Sequence, residues 1–375
     1  MTPGLHLFTS NRLEALADKL GDRLAVPLPS PFLPETIVVR NKGMERWLKL
    51  QLAGRHGICA NCEFPFPEAF GYRVFRQLIP GLPKIPAVDR EYLLWRVLAL
   101  LPEHLPRPEF ASLQHYLAEA EDPRKAVQLA GRIAHLFDQY LVFRPALILE
   151  WEAGKGDHWQ SILWRAVAGN LPAPHAATLW KQLGELTERP ELPPSDLPPR
   201  ISIFGLSALA PYYLSLFAGL ARHLQINLFL LQPSQEYWGD ITSPREGERI
   251  RRQHGVAEAQ AFQLHLHTGH RLLASLGYLG RDFLKLVLEA GDWVSAETFL
   301  EPGEHWLLQR LQSDILHLRD RGETPVEGEG EGEGGASAPA TIAPEDDSIQ
   351  VHCCHSPLRE LEVLQDRILD WLQHD

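Results

Sequence analysis

The chain has 375 residues, of which 45% are hydrophobic and 22% charged, and it contains four cysteines. This composition is typical of a globular protein, and it excludes a disulfide framework and a run of apolar residues long enough to span a membrane. The formal net charge of −12 argues against a uniformly basic nucleic-acid binder, because attraction to phosphate requires a basic surface.

The negative charge is concentrated in residues 323–347, which contain eight acidic residues and no Lys or Arg. The rest of the chain contains 40 of the 48 acidic residues and all 36 basic residues. Its net charge is therefore close to zero, which is compatible with a local basic surface. The Glu-Gly repeat within this segment predicts a self-repelling, low-complexity linker. No secretion signal is recognisable at the start, and we expect a cytoplasmic protein.

The first residues predict alternating strands and helices. Leu5–Phe8 alternates like a short strand, and Asn11 is expected to cap the helix that follows. Thr36–Val39 is typical of a buried strand, and Gly43–Leu52 of a helix. Residues 59–66 suggest another strand. This alternation is the beginning of an α/β domain.

From residue 87 to residue 188 the apolar pattern follows a helical period. Helices are expected at Tyr92–Leu101, Phe110–Glu121, Arg124–Val142, Trp159–Ala168 and Ala176–Leu186. Strands return at Arg200–Phe204 and Ile226–Leu231, on either side of a helix at Pro211–Leu224, which predicts a right-handed parallel crossover.

These patterns predict one parallel-sheet domain, formed by residues 1–86 and 199–322, with a helical domain inserted at 87–198. Within the second part, residues 237–322 are expected to be mostly helical. Residues 348–375 are interpreted as the start of a second α/β domain, with a strand at Ile349–Cys354 and a helix from Pro357 that Ser356 caps.

The sequence lacks the motifs by which nucleotide-driven motor proteins bind ATP and magnesium. The segment that follows the Thr36–Val39 strand, residues 40–44, contains no phosphate-binding loop, and no G-x-x-x-x-G-K-[ST] occurs anywhere. The Arg200–Phe204 strand runs into Gly205 rather than into a magnesium-binding acid. We therefore expect no ATP hydrolysis by this chain.

The cysteines raise a zinc hypothesis. Cys59 and Cys62 form a C-x-x-C pair, and Cys353 and Cys354 lie between two histidines. In a strand over 59–64, however, the first two thiols would point to opposite faces. We interpret the cysteines as small core side chains and keep a zinc-dependent hydrolase as an alternative.

Two helix faces and one aromatic cluster are candidates for nucleic-acid contact. Lys42, Arg46 and Lys49 share one face of a helix that Arg40 can extend, well placed for phosphate. A second helix places Arg132, His135, Asp138 and Gln139 on one side, a mixture of donors and acceptors suited to base edges. The aromatic residues that could stack on bases are Phe64, Phe66, Phe70 and Tyr72. Taken alone, each set is more commonly explained by an ordinary solvated helix face or, for the aromatic residues, by core packing.

Read together, seven stretches resemble the RecC family, the gamma subunits of exodeoxyribonuclease V, in family order. They are TSNRL at 9–13, KGMERWL at 42–48, FPFPEAF at 64–70, LFDQYLVFRP at 136–145, YWGDI at 237–241, LGRD at 279–282 and CHSPLRE at 354–360.

The resemblance implies a superfamily 1 helicase-like fold, a P-loop-like sheet without the P-loop. It implies a DNA-guiding subunit without catalytic residues that splits the duplex, channels the 3′ strand and scans it for Chi. The implied partners are a RecB-like helicase-nuclease subunit, a RecD-like helicase subunit and forked DNA, with no membrane. No cofactor is expected in this chain, since ATP and Mg²⁺ serve the partner subunits. An AddB-type inactivated helicase-nuclease scaffold remains an alternative.

The resemblance also implies strand-reading positions. These fall on Arg40, Lys42, Arg46, Phe66, Tyr72, His135, Leu136, Asp138, Gln139 and Arg144. Leu136, Asp138, Gln139 and Arg144 match the family pattern, whereas the three cations and His135 replace uncharged or acidic groups. Ala176 stands where an Arg is expected. We therefore expect any recognised sequence to differ from the familiar Chi octamer.

Overall fold

The computed structural model describes residues 2–118, 122, 124–193, 195–254, 269–320 and 341–374. It divides the chain into two compact units, Met1–Gln232 with Tyr278–Phe299, and Pro233–Gly277 with Leu300–Asp375. Most of the acidic segment, residues 323–340, lies outside the described residues. The domain boundaries expected from the sequence remain predictions.

The first unit is built on one parallel sheet. In the described residues the strands are β1 (Gly4–Ser10), β2 (Glu35–Val39), β3 (Cys62–Glu63), β4 (Arg200–Phe204), β5 (Gln225–Leu231) and β6 (Trp293–Glu297). They lie side by side in the order β3-β2-β4-β5-β1-β6, and every paired strand is parallel to its neighbour. The α/β class and the parallel sheet predicted from the sequence are confirmed.

Three strand predictions are wrong in part or whole. The strand expected over residues 59–66 is reduced to β3, because the prolines that flank Phe66 cannot donate to a ladder. β6 lies in a segment expected to be mostly helical. Residues 349–354 form no strand. They have no neighbouring strand to pair with, and Val351 is 86% exposed.

The helices of the first unit follow the predicted period closely. They are α1 (Leu13–Leu24), α2 (Lys42–His56), α3 (Pro67–Leu78), α4 (Arg90–His104), α5 (Ala111–Ala118), α6 (Arg124–Phe143), α7 (Pro145–Glu152), α8 (Trp159–Ala168), α9 (Ala176–Thr187) and α10 (Pro211–Leu220). The helix α1 begins one residue later than a cap at Asn11 requires, with Arg12 at the N-cap position and no side-chain cap. The sequence pattern missed α3 and α7.

The remaining helices are α11 (Pro244–His254), α12 (Arg271–Leu276), α13 (Tyr278–Glu289), α14 (Leu307–Leu316) and α15 (Pro357–His374). Of these, α13 belongs to the first unit and the others to the second. The predicted cap at Ser356 is confirmed, since its Oγ accepts a hydrogen bond from the Arg359 N–H at 3.3 Å. No helix in the described ranges is long and apolar enough to cross a membrane.

One face of the sheet is closed by α1 and α2. The apolar stripe predicted on α1 places Leu16 and Leu20 in this core, together with Leu48 and Leu52 of α2. The rings of Phe8 and Phe229 stack beneath them with centroids 4.7 Å apart. Each fully buried leucine contributes roughly 1.5–3 kcal/mol, so this face fixes where the two helices begin.

The helices α4 to α9 enclose a core of their own. Its centre is Phe137 of α6, which packs edge-on against Trp164 of α8 with centroids 5.2 Å apart. A buried polar link accompanies it: Glu152 Oε1 accepts from the Trp164 indole at 2.9 Å and lies 2.6 Å from His175 Nε2. The carboxylate therefore ties α7 to both α8 and α9.

A buried arginine joins α1, β2 and β4 at the amino edge of the sheet. Arg200 is 1% exposed, and its guanidinium binds the Glu35 carboxylate. The same group donates to the carbonyls of Arg23 at 2.6 Å and Val26 at 2.9 Å. The Arg23 carbonyl also accepts from the Val26 N–H at 3.3 Å, so the guanidinium adds to the backbone bond that closes α1.

We expect Arg200→Ala to lower the free energy of unfolding by about 3–5 kcal/mol, since it leaves the half-buried Glu35 carboxylate and the Val26 carbonyl without the guanidinium. Urea denaturation measures the change. Arg55→Ala is the matched control. Arg55 pairs with Asp18 and Asp22 at 2.5 Å on the exposed surface, and such pairs contribute about 0–1 kcal/mol. Similar losses in both variants would contradict the role given to Arg200.

Candidate functional site: the carboxyl edge of the sheet

The chain leaves the carboxyl ends of β2 and β4 in opposite directions. From β2 it passes through α2 to β3 on one side, and from β4 through α10 to β5 on the other. Adjacent parallel strands connected in this way leave a crevice outside their carboxyl ends, which is where open α/β sheets bind ligands. Arg40 and Gly205 are the first residues beyond the two strand ends.

The two strand ends are joined across this crevice. Nη1 of Arg40 donates to Oγ of Ser207 at 3.0 Å. Gly205 has a φ of +65°, and a Cβ at that position would lie 3.0 Å from the Met44 Cε atom. A glycine is therefore required both by the backbone turn and by the close approach of α2.

The basic face predicted on α2 is exposed, but a carboxylate shares it. Asn41 caps the helix by accepting from the Met44 N–H at 2.9 Å. Glu45 lies between two lysines, and its oxygens are 2.7 Å from Lys42 Nζ and 2.8 Å from Lys49 Nζ. These bonds hold the pKa of Glu45 below its usual value. Sequence reasoning missed Glu45, although its spacing of three and four residues from the lysines was a usable signal.

Arg46 is the cation of this face that remains uncommitted. It is exposed, and it makes no hydrogen bond or ion pair within the described part of the chain. Its guanidinium is therefore available to an external anion at no cost in broken bonds.

The predicted aromatic cluster divides into two pairs. Phe64 and Phe70 are 9% and 0% exposed and belong to the core. Phe66 is 36% exposed, and its ring lies 5.6 Å from Lys42 Nζ. Lys49 Nζ lies 5.1 Å from the Phe64 ring in the same way. Cations and rings therefore alternate along this surface, a pattern that suits both phosphates and bases.

The helix α3 leads from this surface into a groove of about 460 Å³. Phe66 precedes the helix, while Glu68 and Tyr72 line the groove. The hydroxyl of Tyr72 donates to the Pro83 carbonyl at 3.0 Å, which fixes the ring. The opposite wall includes Asp138 of α6, Ala176 of α9 and Tyr213 of α10. The groove thus brings together Tyr72, Asp138 and Ala176, which are far apart in sequence.

Two ionisable side chains that line the groove, one carboxyl and one phenol, have raised pKa values. Burial raises the pKa of Asp138, and the nearby Asp89 adds to this, whereas His135 and Arg90 oppose it. Burial also raises the pKa of Tyr213, as do the carboxylates of Glu68 and Asp138. Asp138 is therefore more easily protonated than a free aspartate, which would let it donate as well as accept a hydrogen bond.

The other predicted residues follow α6. His135 and Gln139 are exposed, Leu136 is half-buried, and Arg144 lies at the end of the helix with its guanidinium 5.8 Å from the Tyr140 ring. The structure thus gathers Arg40, Lys42, Arg46 and Phe66 at the carboxyl edge, and places the remainder in or beside the groove. Their role in strand reading remains a prediction.

Cys59 and Cys62 lie in the first unit, and Cys353 and Cys354 lie in the second. Across residues 2–118, 122, 124–193, 195–254, 269–320 and 341–374, no group of three or more His, Cys, Asp or Glu side chains could hold a metal ion.

Fold and site define a parallel α/β protein with cationic and aromatic side chains, in place of a phosphate loop, at the carboxyl edge of its sheet. Residues 5–318 match the model of the RecC N-terminal domain. The chain belongs to the RecC family and corresponds to its N-terminal portion.

Curated relatives agree along almost the whole chain. It is similar to the RecBCD enzyme subunit RecC of Escherichia coli, with 36% identity over 99% of this chain and 36% of the relative. The corresponding subunit of Haemophilus influenzae is 31% identical over 98% of this chain and 37% of the relative. The corresponding subunit of Mycolicibacterium smegmatis is 33% identical over 99% of this chain and 32% of the relative. The chain thus spans about a third of the length of these relatives.

We expect His135→Ala to raise the pKa of Asp138 further, because it removes a positive charge that stabilises the carboxylate. Carbon-detected NMR of the Asp138 carboxyl during an acid titration measures this. Gln139→Ala removes an uncharged side chain from the same exposed face and should leave the pKa of Asp138 unchanged. An unchanged or lowered pKa in His135→Ala would show that the two groups do not interact.

Proposed function

We propose that this chain is part of a non-catalytic, DNA-guiding subunit of an exodeoxyribonuclease V (RecBCD) complex, acting in double-strand break repair by homologous recombination. Its partners are a RecB-like helicase-nuclease subunit and a RecD-like helicase subunit. Its ligand is forked DNA, of which the 3′ strand runs over the carboxyl edge and is scanned in the groove.

The observation that carries this proposal is the position of the cationic and aromatic surface. Arg40, Lys42, Arg46 and Phe66 stand at a crossover point of a parallel sheet, where ligands bind in this class of fold. Guanidinium and ammonium groups contact phosphates irrespective of sequence, and an exposed ring stacks on any base. Such a surface holds a strand without reading it.

The groove next to it supports a sequence-dependent role. It offers an aspartate whose pKa is raised, two phenol rings and the small side chain of Ala176, and its polar groups are of the kinds that pair with base edges. Several reading positions differ from the family pattern, since His135 replaces an acid and Ala176 an arginine. We therefore propose that guidance of the strand is kept and that any pause sequence differs from the familiar Chi.

The same reasoning supports a helicase-like fold without a motor. The sheet is parallel and its crevice is where a nucleotide would sit in a superfamily 1 helicase, yet the sequence has no phosphate-binding loop. We propose that this chain uses no cofactor and that ATP and Mg²⁺ act in the partner subunits. Measurable ATP hydrolysis by the purified chain would count directly against this.

Lys42→Ala combined with Arg46→Ala tests the phosphate contacts. We expect affinity for a single-stranded oligonucleotide to fall roughly tenfold, and the slope of log affinity against log salt to shrink by about 1.4, since each lost contact on a single strand accounts for ~0.7. Fluorescence anisotropy at several salt concentrations measures both. The control is Arg189→Ala with Arg222→Ala, which removes equal charge near a cavity beside Gly4 at the amino edge. Equal losses in the two variants would leave only net charge as the cause.

Glu45→Gln tests whether the shared carboxylate competes with phosphate. Removing it frees the ammonium groups of Lys42 and Lys49, so single-strand affinity should rise about three- to tenfold and the salt slope should steepen by up to ~1.4. Glu185→Gln, an exposed acid on α9, is the matched control for charge. A weaker affinity in Glu45→Gln would show instead that the carboxylate holds the lysines in their binding positions.

A further inference from the structure

A short, fixed loop joins α2 to β3 and contains both cysteines of the first unit. The helix ends at Gly57, with a φ of 77°, and the loop turns at Asn61, with a φ of 53°. The Asn61 side chain donates to the carbonyls of Pro31 and Leu33 at 3.0 Å, and its own carbonyl accepts from the Glu35 N–H at 2.9 Å. Three hydrogen bonds therefore hold the residue between Cys59 and Cys62 in place.

This turn brings the two thiols together. Both cysteines are half-buried and pack against the same core cluster beneath α1 and α2, and the two side chains interact electrostatically. The expectation that the thiols diverge is wrong, because Cys59 lies before the strand and the left-handed Asn61 reverses the alternation that a strand would impose.

The surroundings distinguish the two sulfurs. Burial raises the pKa of Cys62 to about 12, aided by the charge and hydrogen bond of Cys59 and by Glu35, while Lys49 opposes the shift. Cys62 therefore keeps its proton, and its Sγ donates to the Ala60 carbonyl at 3.4 Å. The Lys49 ammonium interacts with both sulfurs, and a nearby cation favours thiolate over thiol.

We propose that Cys59 and Cys62 form a reactive dithiol that closes to an intramolecular disulfide by exchange with a small-molecule disulfide. The Cys59 thiolate attacks one sulfur of that disulfide, a bond forms between them, and one small thiolate leaves. Cys62 then loses its proton and attacks the Cys59 sulfur, which expels the second small thiolate. The protein loses two electrons and two protons, and the disulfide is reduced to two thiols.

The site adjoins the candidate strand-binding surface through Lys49, but it does not depend on the proposed function. A disulfide requires the two Cβ atoms to approach within about 4.5 Å, and a turn that places both side chains against one core cluster favours that approach. Cys353 and Cys354 are neighbours in sequence, and no comparable turn holds them.

Oxidised glutathione is the probe. The chain is incubated with it, the free thiols are blocked with a maleimide, and the protein is digested with trypsin. Since no Lys or Arg lies between Arg55 and Arg73, one peptide of residues 56–73 carries both cysteines. We expect this peptide to be lighter by two hydrogens and unreactive to maleimide, and to be restored by dithiothreitol.

Cys62→Ser should accumulate a glutathione adduct on Cys59, because the second attack is lost, whereas Cys59→Ser should form no closed product. Replacing both Cys353 and Cys354 by Ser should leave closure unchanged. Closure in the folded chain should be at least tenfold faster than in the chain unfolded by urea, where the turn is absent. A peptide that carries two glutathiones, the absence of an adduct in Cys62→Ser, or equal rates in folded and unfolded chains would overturn the proposal.

Discussion

The buried guanidinium of Arg200 is the constraint on which the first unit depends. It binds the Glu35 carboxylate and the carbonyls of Arg23 and Val26 through a guanidinium that is itself almost fully buried. Because β2 and β4 pair from this point onward, in register from Thr36 opposite Ile201 to Val39 opposite Phe204, the amino edge determines where the strands stop. The crevice at the carboxyl edge, with Arg40 on one side and Ser207 on the other, is a consequence of that alignment.

Much of the sheet could be predicted from local pattern. β4 agrees residue for residue, and β1, β2 and β5 differ only at their ends, because each is a run of apolar residues between clear breaks. The sequence could not place β6, whose Trp293–Glu297 segment is exposed along most of its length and lacks a strand-like alternation. The opposite error occurred at residues 349–354, where a strand was predicted and none forms. A strand-like composition does not produce a strand unless a neighbouring strand pairs with it.

The sequence predicted which charged side chains lie at the candidate site, but not which of them pair with one another. The exposed face of α2 followed from helical spacing alone, yet the sharing of Glu45 between two lysines depends on rotamers and distances that spacing does not define. The groove was even less predictable, because Tyr72, Asp138 and Ala176 come from α3, α6 and α9, whose packing against one another no local pattern defines. Only the family resemblance linked these positions before their geometry was known. The resemblance thus identified the positions, and the geometry showed which of them lie together. The turn that holds Cys59 and Cys62 was indicated neither by the sequence pattern nor by the resemblance, and only the structure revealed it.

The lysines flanking Glu45 have a kinetic consequence for a strand that occupies this surface. Each ammonium already has a carboxylate partner, so an arriving phosphate exchanges with that carboxylate rather than adding to an empty site, and a departing phosphate is replaced at once. Exchange between the carboxylate and a phosphate would weaken the binding of that phosphate by the two lysines. Two unpartnered lysines would bind a phosphate more tightly and release it more slowly.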